Sequence, residues 1–183
     1  DGTTWTAMTG LPADVSDQGT CFKVNGVSAN DVWISCTSGT TLHWDGTQLS
    51  PVVITAAAQD QDSLFSISCS SKLCATVGGA FDGVLYENAG SAWKSALPPG
   101  GPVLTGVAVS GTDAYAVGQA GVILRRTDSG WVTDGKPVTT ENLHAAWIDP
   151  MGGGWAVGGM FDSSPTTEGV LLYKGDTPPT SLP

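Results

Sequence analysis

Three features of the 183-residue sequence predict an all-β fold made of four repeated sheets. The tripeptide Ala-Val-Gly ends at Gly118 and again at Gly158, 40 residues on, and Thr76-Val77-Gly78 ends another 40 residues upstream. On the same frame, short apolar segments alternate with turn residues, and no stretch sustains the 3.6-residue apolar period of a helix. A pitch of about 40 to 45 residues is that of one four-stranded blade. The expectation is therefore a closed four-bladed β-propeller with four strands per blade.

The first repeat joins the frame through Ile34-Ser35-Cys36, which lies 42 residues before Gly78 and puts Cys36 in the glycine position. First strands are predicted at 26–28, 64–69, 104–109 and 143–148, and second strands at 32–35, 75–77, 114–117 and 155–157. Turns containing Asn30-Asp31, Gly111-Thr112-Asp113 and Gly152-Gly153-Gly154 join them as hairpins. Leu42-His43-Trp44 matches Val84-Leu85-Tyr86, Val122-Ile123-Leu124 and Val170-Leu171-Leu172 as third strands, and Leu49, Trp93 or Trp131 marks the fourth. Only the last repeat lacks that fourth step. Asp1-Gly2-Thr3-Thr4-Trp5 supplies it from the other end of the chain, so the N-terminal strand is expected to complete the last blade and leave no unpaired inner edge.

The predicted organisation is one domain over 1–183, with repeats at roughly 13–55, 56–100, 101–139 and 140–176. Residues 1–12 close the last blade, and 177–183, with Pro178, Pro179 and Pro183, form an extended tail. Tryptophans locked to repeat positions (Trp5, Trp93 and Trp131 at one, Trp33 and Trp155 at another) read as packing between neighbouring sheets.

Seven Lys and Arg against 17 Asp and Glu give a formal net charge of -10. This disfavours nucleic acid and anionic membrane surfaces, both of which are bound mainly through basic side chains. No apolar run approaches the roughly 20 residues that span a bilayer, and charged residues are only 13%. Such a composition is common in secreted all-β domains. Cys69 and Cys74 bracket one hairpin turn, and Cys21 and Cys36 bracket another, so both pairs fall at or near facing positions where a disulfide fits. The expected bonds are Cys21 with Cys36 and Cys69 with Cys74. Together these readings favour a secreted, periplasmic or cell-surface location and a monomer.

Thr127-Asp128-Ser129-Gly130-Trp131 resembles the Asp-box turn of sialidase-type propellers, and Asp1 to Trp5 and Ser91-Ala92-Trp93 look like eroded versions. The run from Asp31-Val32-Trp33 to Asp45-Gly46, and that from Tyr115-Ala116-Val117-Gly118 to Ile123-Leu124, are similar to repeats of secreted bacterial proteins related to the photosystem II assembly factor propellers. The resemblance covers almost the whole chain and implies the propeller fold. It leaves function open, because such propellers host hydrolases, assembly factors, adhesins and lectins. Relatives commonly have more blades, so a segment of a larger ring, or a ring shared by two chains, is the alternative to self-closure.

Repeats two and four share Gly-Gly-x-Phe-Asp after the second strand, at 78–82 and 158–162, where the other repeats have shorter turns. In a four-bladed ring these loops face each other across the axis. Phe81, Asp82, Met160, Phe161, Asp162 and Glu168 are accordingly the candidate ligand-binding residues, with 163–168 as a flap. An aromatic face beside a carboxylate suits sugars, cations or a basic peptide; the plainer alternative is a duplicated turn in which Phe tucks inward and Asp caps the backbone. Sialidase-like chemistry needs an arginine cluster, whereas Arg125 and Arg126 are adjacent on a strand and project to opposite faces. His43 and His144 stand at unlike positions with no nucleophile motif nearby, zinc-type spacings are absent, and no metal or cofactor is expected. The leading expectation is a non-enzymatic recognition domain that binds a protein or peptide on the loop face. A lectin and a glycosidase using Asp82 and Asp162 are the alternatives.

Overall fold

The computed structural model describes residues 3–9, 11, 15, 19–54, 62–97, 100–160 and 169–176. The chain is all-β and forms four antiparallel sheets, each a simple meander. The first holds β1 (Cys21–Ser28), β2 (Asp31–Cys36), β3 (Thr40–Trp44) and β4 (Leu49–Val53). The second holds β5 (Leu64–Cys69), β6 (Cys74–Gly79), β7 (Gly83–Asn88) and β8 (Lys94–Ser95). The third holds β9 (Leu104–Ser110), β10 (Asp113–Gly118), β11 (Ile123–Thr127) and β12 (Gly130–Thr133). Among the described residues three strands make the fourth, β13 (Leu143–Ile148), β14 (Gly154–Gly158) and β15 (Val170–Lys174).

The repeated glycine has a steric cause. Gly78, Gly118 and Gly158 pair with Leu64, Leu104 and Leu143, the first residues of their own blades' first strands, and a bulge follows each pair. A Cβ at these glycines would lie 1.8 Å from the Ser63 carbonyl oxygen, 2.2 Å from that of Val103 and 2.1 Å from that of Asn142. Only glycine lets the backbone come so close. In the first blade the same register pairs Cys36 with Cys21, and the two are disulfide-bonded. Cys69 and Cys74, facing each other across β5 and β6, form the second bond. The expected pairing is the observed one.

Blades stack by a repeated junction. β5 packs on β1 and β2, β9 on β5 and β6, and β13 on β9 and β10. The main core lies between blades two and three, where Ala75, Val77 and Leu85 meet Leu104, Val107, Ala116 and Leu124, with Trp131 packed against them. Val117 meets Leu143 and Ala156 at the next junction. Trp33 and Trp93 meet edge to face across blades one and two, with ring centroids 5.5 Å apart, so these tryptophans do pack between sheets. Polar ties follow the same steps: Cys69 N–H donates to Asn25 Oδ1 at 2.8 Å, and Val109 N–H to Ser68 Oγ at 3.0 Å.

Two expectations are corrected. β1 begins at Cys21 rather than 26, because bulges and the polar residues Lys23 and Asn25 break the alternation that would reveal it. Trp5 does not lie beside Leu171 to Tyr173. It is fully exposed, residues 3–9 form no strand, and the fourth sheet ends at β15. Sheets meet in series, and among the described residues no strand of the first makes a comparable contact with one of the fourth. The proline tail lies outside the described residues.

One charged group bridges the central junction. Glu87 of blade two accepts from Arg126 Nε at 2.8 Å and from Trp131 Nε1 at 3.0 Å, both in blade three. The Arg126 hydrogen bond, outweighing desolvation and aided by Trp131, holds the Glu87 carboxyl below its ordinary value of 4.5. The folded carboxyl therefore stays ionised where the unfolded one protonates. Its contribution is full above about pH 4.5 and is lost as pH falls through the folded value. Glu87→Gln should cost about 1–2 kcal/mol at neutral pH, as expected for partly exposed charge-assisted hydrogen bonds. Urea unfolding at a series of pH values should show the gap between variant and wild type closing as acid is added.

Candidate functional site

Each loop joining a second to a third strand leaves the same end of its sheet, so these loops share one face of the stack. Their anchoring is the same in all four blades. Thr37 N–H donates to the Thr20 carbonyl at 2.9 Å, Gly79 N–H to Ser63 at 3.0 Å, Gln119 N–H to Val103 at 3.0 Å and Gly159 N–H to Asn142 at 2.9 Å. Gly79 and Gly159 both take φ of 134°, a region closed to side chains, and a Cβ on Gly79 would lie 2.2 Å from the Asp82 carbonyl oxygen. The duplicated Gly-Gly is thus a backbone requirement.

Beyond the glycines the loop is open. Phe81 is fully exposed and Asp82 is exposed beside it, so Phe81 is not tucked into the core. Met160 is half exposed at the matching loop of blade four. Phe161, Asp162 and Glu168, with the rest of the flap, lie outside the described residues. Among the described residues no contact between the first and fourth sheets closes a ring that would set blades two and four across an axis. Blade three stands between them, with the short 3₁₀ turn Gln119–Gly121 at the corresponding place.

The remaining candidate chemistry is taken up structurally. His43 Nε2 lies 2.9 Å from Asp31 Oδ1, its ring stacks on Trp33 at 4.0 Å, and Trp33 Nε1 donates to the same oxygen at 2.9 Å. His144 Nε2 lies 2.6 Å from the Gly159 carbonyl. Arg126 serves Glu87, and Arg125 Nε lies 3.6 Å from Asp134. Asp45 and Asp149 are turn residues. Asp45 is pulled down to about 2 by hydrogen bonds from the Thr47 hydroxyl and then from the Gln48 and Thr47 amides. Trp155 Nε1, then the Gly153 amide, lowers Asp149.

Sequence reasoning missed a cavity of about 280 Å³ between blades three and four. Its apolar wall comes from Tyr115, Val117 and Ile123 on one side and Ala156 and Leu172 on the other, with Lys174 at the rim. The signal was present, as the missing fourth-strand tryptophan of the last repeat.

Superposition on solved structures fits this architecture. YCF48 bound to D1 peptide matches 82% of the chain with a TM-score of 0.59 at 18% identity, and a streptogramin B lyase matches 81% with 0.58 at 11%. The computationally designed Ika4 protein matches 87% with 0.57 at 15%. The chain has the fold of β-propeller blades. It spans 54% and 53% of the lengths of the first two proteins and 94% of the designed one. No protein-family model matches the sequence, and no curated protein does.

The two halves of the blade-two loop should respond differently to substitution. Phe81→Ala should move the unfolding free energy by no more than about 0.5 kcal/mol, because the ring touches no core. Gly79→Ala should cost well over 1 kcal/mol, from positive φ and the carbonyl clash. Chemical denaturation of both variants checks this.

Proposed function

We propose that the chain is a non-enzymatic recognition module, working outside the cytosol, whose loop face binds a basic peptide or protein segment. The observation that carries this reading is Phe81, a fully exposed aromatic ring with a carboxylate next to it, presented on a turn whose backbone is fixed by glycine. Binding residues on loops held by a rigid sheet are the usual arrangement. A ring face attracts Lys or Arg by about 0.5–2 kcal/mol, and the Asp82 carboxylate adds attraction of the same sign. The net charge of -10 steers cationic partners toward the whole surface. Met160 extends the exposed apolar area on the blade-four loop, and Phe161, Asp162 and Glu168 are proposed to extend the site there. The peptide held by YCF48 supports the reading by likeness of fold. The two disulfides support an oxidising compartment.

Selection of a displayed random peptide library on the immobilised chain tests the proposal. Enrichment of Lys- or Arg-rich sequences is expected, with affinities about 3- to 30-fold weaker for Phe81→Ala and for Asp82→Asn. Peptides that bind the double variant as well as wild type would place recognition elsewhere. Signals on a glycan array but none from peptides would make the module a lectin, and glycoside hydrolysis abolished by Asp82→Asn would make it an enzyme.

A further inference from the structure

The cavity between blades three and four is built like a socket that is filled at the preceding junction. There, Trp131 of the fourth strand packs against a cluster of Ala75, Val77 and Leu85 of blade two and Leu104, Val107, Ala116 and Leu124 of blade three. The register assigns five of these a counterpart one blade on. Val77 pairs with Leu85 as Val117 pairs with Ile123, and Ala116 pairs with Leu124 as Ala156 pairs with Leu172. Ala75 corresponds to Tyr115. All five counterparts line the cavity. Among the described residues, a fourth strand on β15 and its tryptophan are missing.

The sequence frame supplies that residue as Trp5, which the structure leaves exposed outside any sheet. In each of the first three blades the fourth strand is followed by the first strand of the next blade. Trp5 precedes Cys21 by 16 residues, against 15 from Leu49 to Leu64 in blade one. A strand carrying Trp5 therefore belongs to the blade on which blade one packs.

Among the described residues no blade holds that place, yet both halves of such a junction are present. On the front of blade four, Val157 is 43% exposed, whereas its counterparts Val77 and Val117 are 0% and 1%. Leu171 and Trp147 are exposed on the same front. On the rear of blade one, Val24 is 60% exposed, whereas Ile67 and Val107 at the same register are 0% and 5%. Val15 covers Cys36 and Leu42 but leaves β1 bare. We propose that Trp5 of one copy fills the cavity between blades three and four of a second copy, so that two arcs, each front against the other's rear, close one eight-bladed ring. Laying β1 of the second copy on β13 and β14 continues the junction already made three times in each chain, and the spacing of Trp5 ahead of Cys21 matches, to within one residue, that of Leu49 ahead of Leu64. Front-to-rear contacts close a ring when the rotation is a half turn. The ring replaces self-closure of a monomer. It stands independently of the loop-face reading.

Light scattering coupled to size exclusion, with the 183-residue chain, tests this. Wild type should run at twice 18.6 kDa, and more completely at higher salt, because two copies each of charge -10 repel. Val157→Arg and Val24→Arg each spoil both junctions and should run as single copies with unchanged circular dichroism, both positions being exposed in the single chain. Mixed in equal amounts, the two variants regain one intact junction and should return to the doubled mass. Trp5→Ala should weaken association about 30-fold or more, as for a buried aromatic anchor. The proposal is overturned if wild type stays single at about 100 μM in high salt, if either Arg variant remains doubled, or if the mixture stays single. A single-copy wild type whose melting temperature falls on Trp5→Ala would mean that the segment closes on its own chain.

Discussion

The close approach of two backbones inside each blade is the constraint on which the other features depend. A glycine ending the second strand lies against the carbonyl of the residue that precedes the first strand, at Gly78 with Ser63, Gly118 with Val103 and Gly158 with Asn142. That seat fixes the register of the first two strands and forces a bulge after the pair. From there the alternation of faces follows. Val77 and Val117 point forward into the next blade, while Ala116 and Ala156 point back into the previous one. The first blade meets the same register with a covalent bond, Cys21 to Cys36, where a Cβ is needed rather than forbidden.

The junctions between blades inherit this register and add little that is new at each step. Small or polar residues on first strands, Asn25, Ser66, Ser68 and Gly106, let the next strand come near and accept its amides or give it room. Heavier side chains from the second and third strands fill the wedge that opens away from the first strands, and the fourth-strand tryptophan closes it. At the junction of blades three and four, where no such tryptophan stands among the described residues, a cavity of about 280 Å³ lies instead. The loops are carried on this frame and need not contribute to it, which is why a bare phenylalanine can stand at position 81.

Much of the fold was legible because its causes are local and periodic. The glycine seat recurs every 40 residues, and the hairpin cysteines sit at facing positions, so pitch, strand count within most blades and both disulfides could be read from spacing. Closure was not legible. The angle between successive blades is set by the sum of small side-chain differences across junctions, and no single residue carries it. Blade count therefore did not decide ring size, and the placement of Trp5 beside β15 of its own chain did not hold. At the loop face, the sequence showed that Phe81 and Asp82 sit after a duplicated glycine turn. It could not show that the ring is out in solvent, because a turn phenylalanine is equally able to fold back on its own sheet. The cavity was legible only as an absence in the repeat, and it acquired meaning when its walls proved to match those around Trp131.

The claim that the glycine seat governs the rest is most directly tested by placing a single methyl group at Gly118. Its φ of -172° is extended, so what opposes the change is the backbone at the start of the first strand, with the Val103 carbonyl oxygen 2.2 Å and the Leu104 Cα 2.8 Å from the added Cβ. Gly169, around which a Cβ would meet nothing within 4 Å, is the matched control. In guanidinium unfolding, Gly118→Ala should lose about 2–4 kcal/mol, in the range of overpacked and strained sites, and Gly169→Ala should stay within about 0.5 kcal/mol of wild type. Equal stability of the two variants would contradict the account.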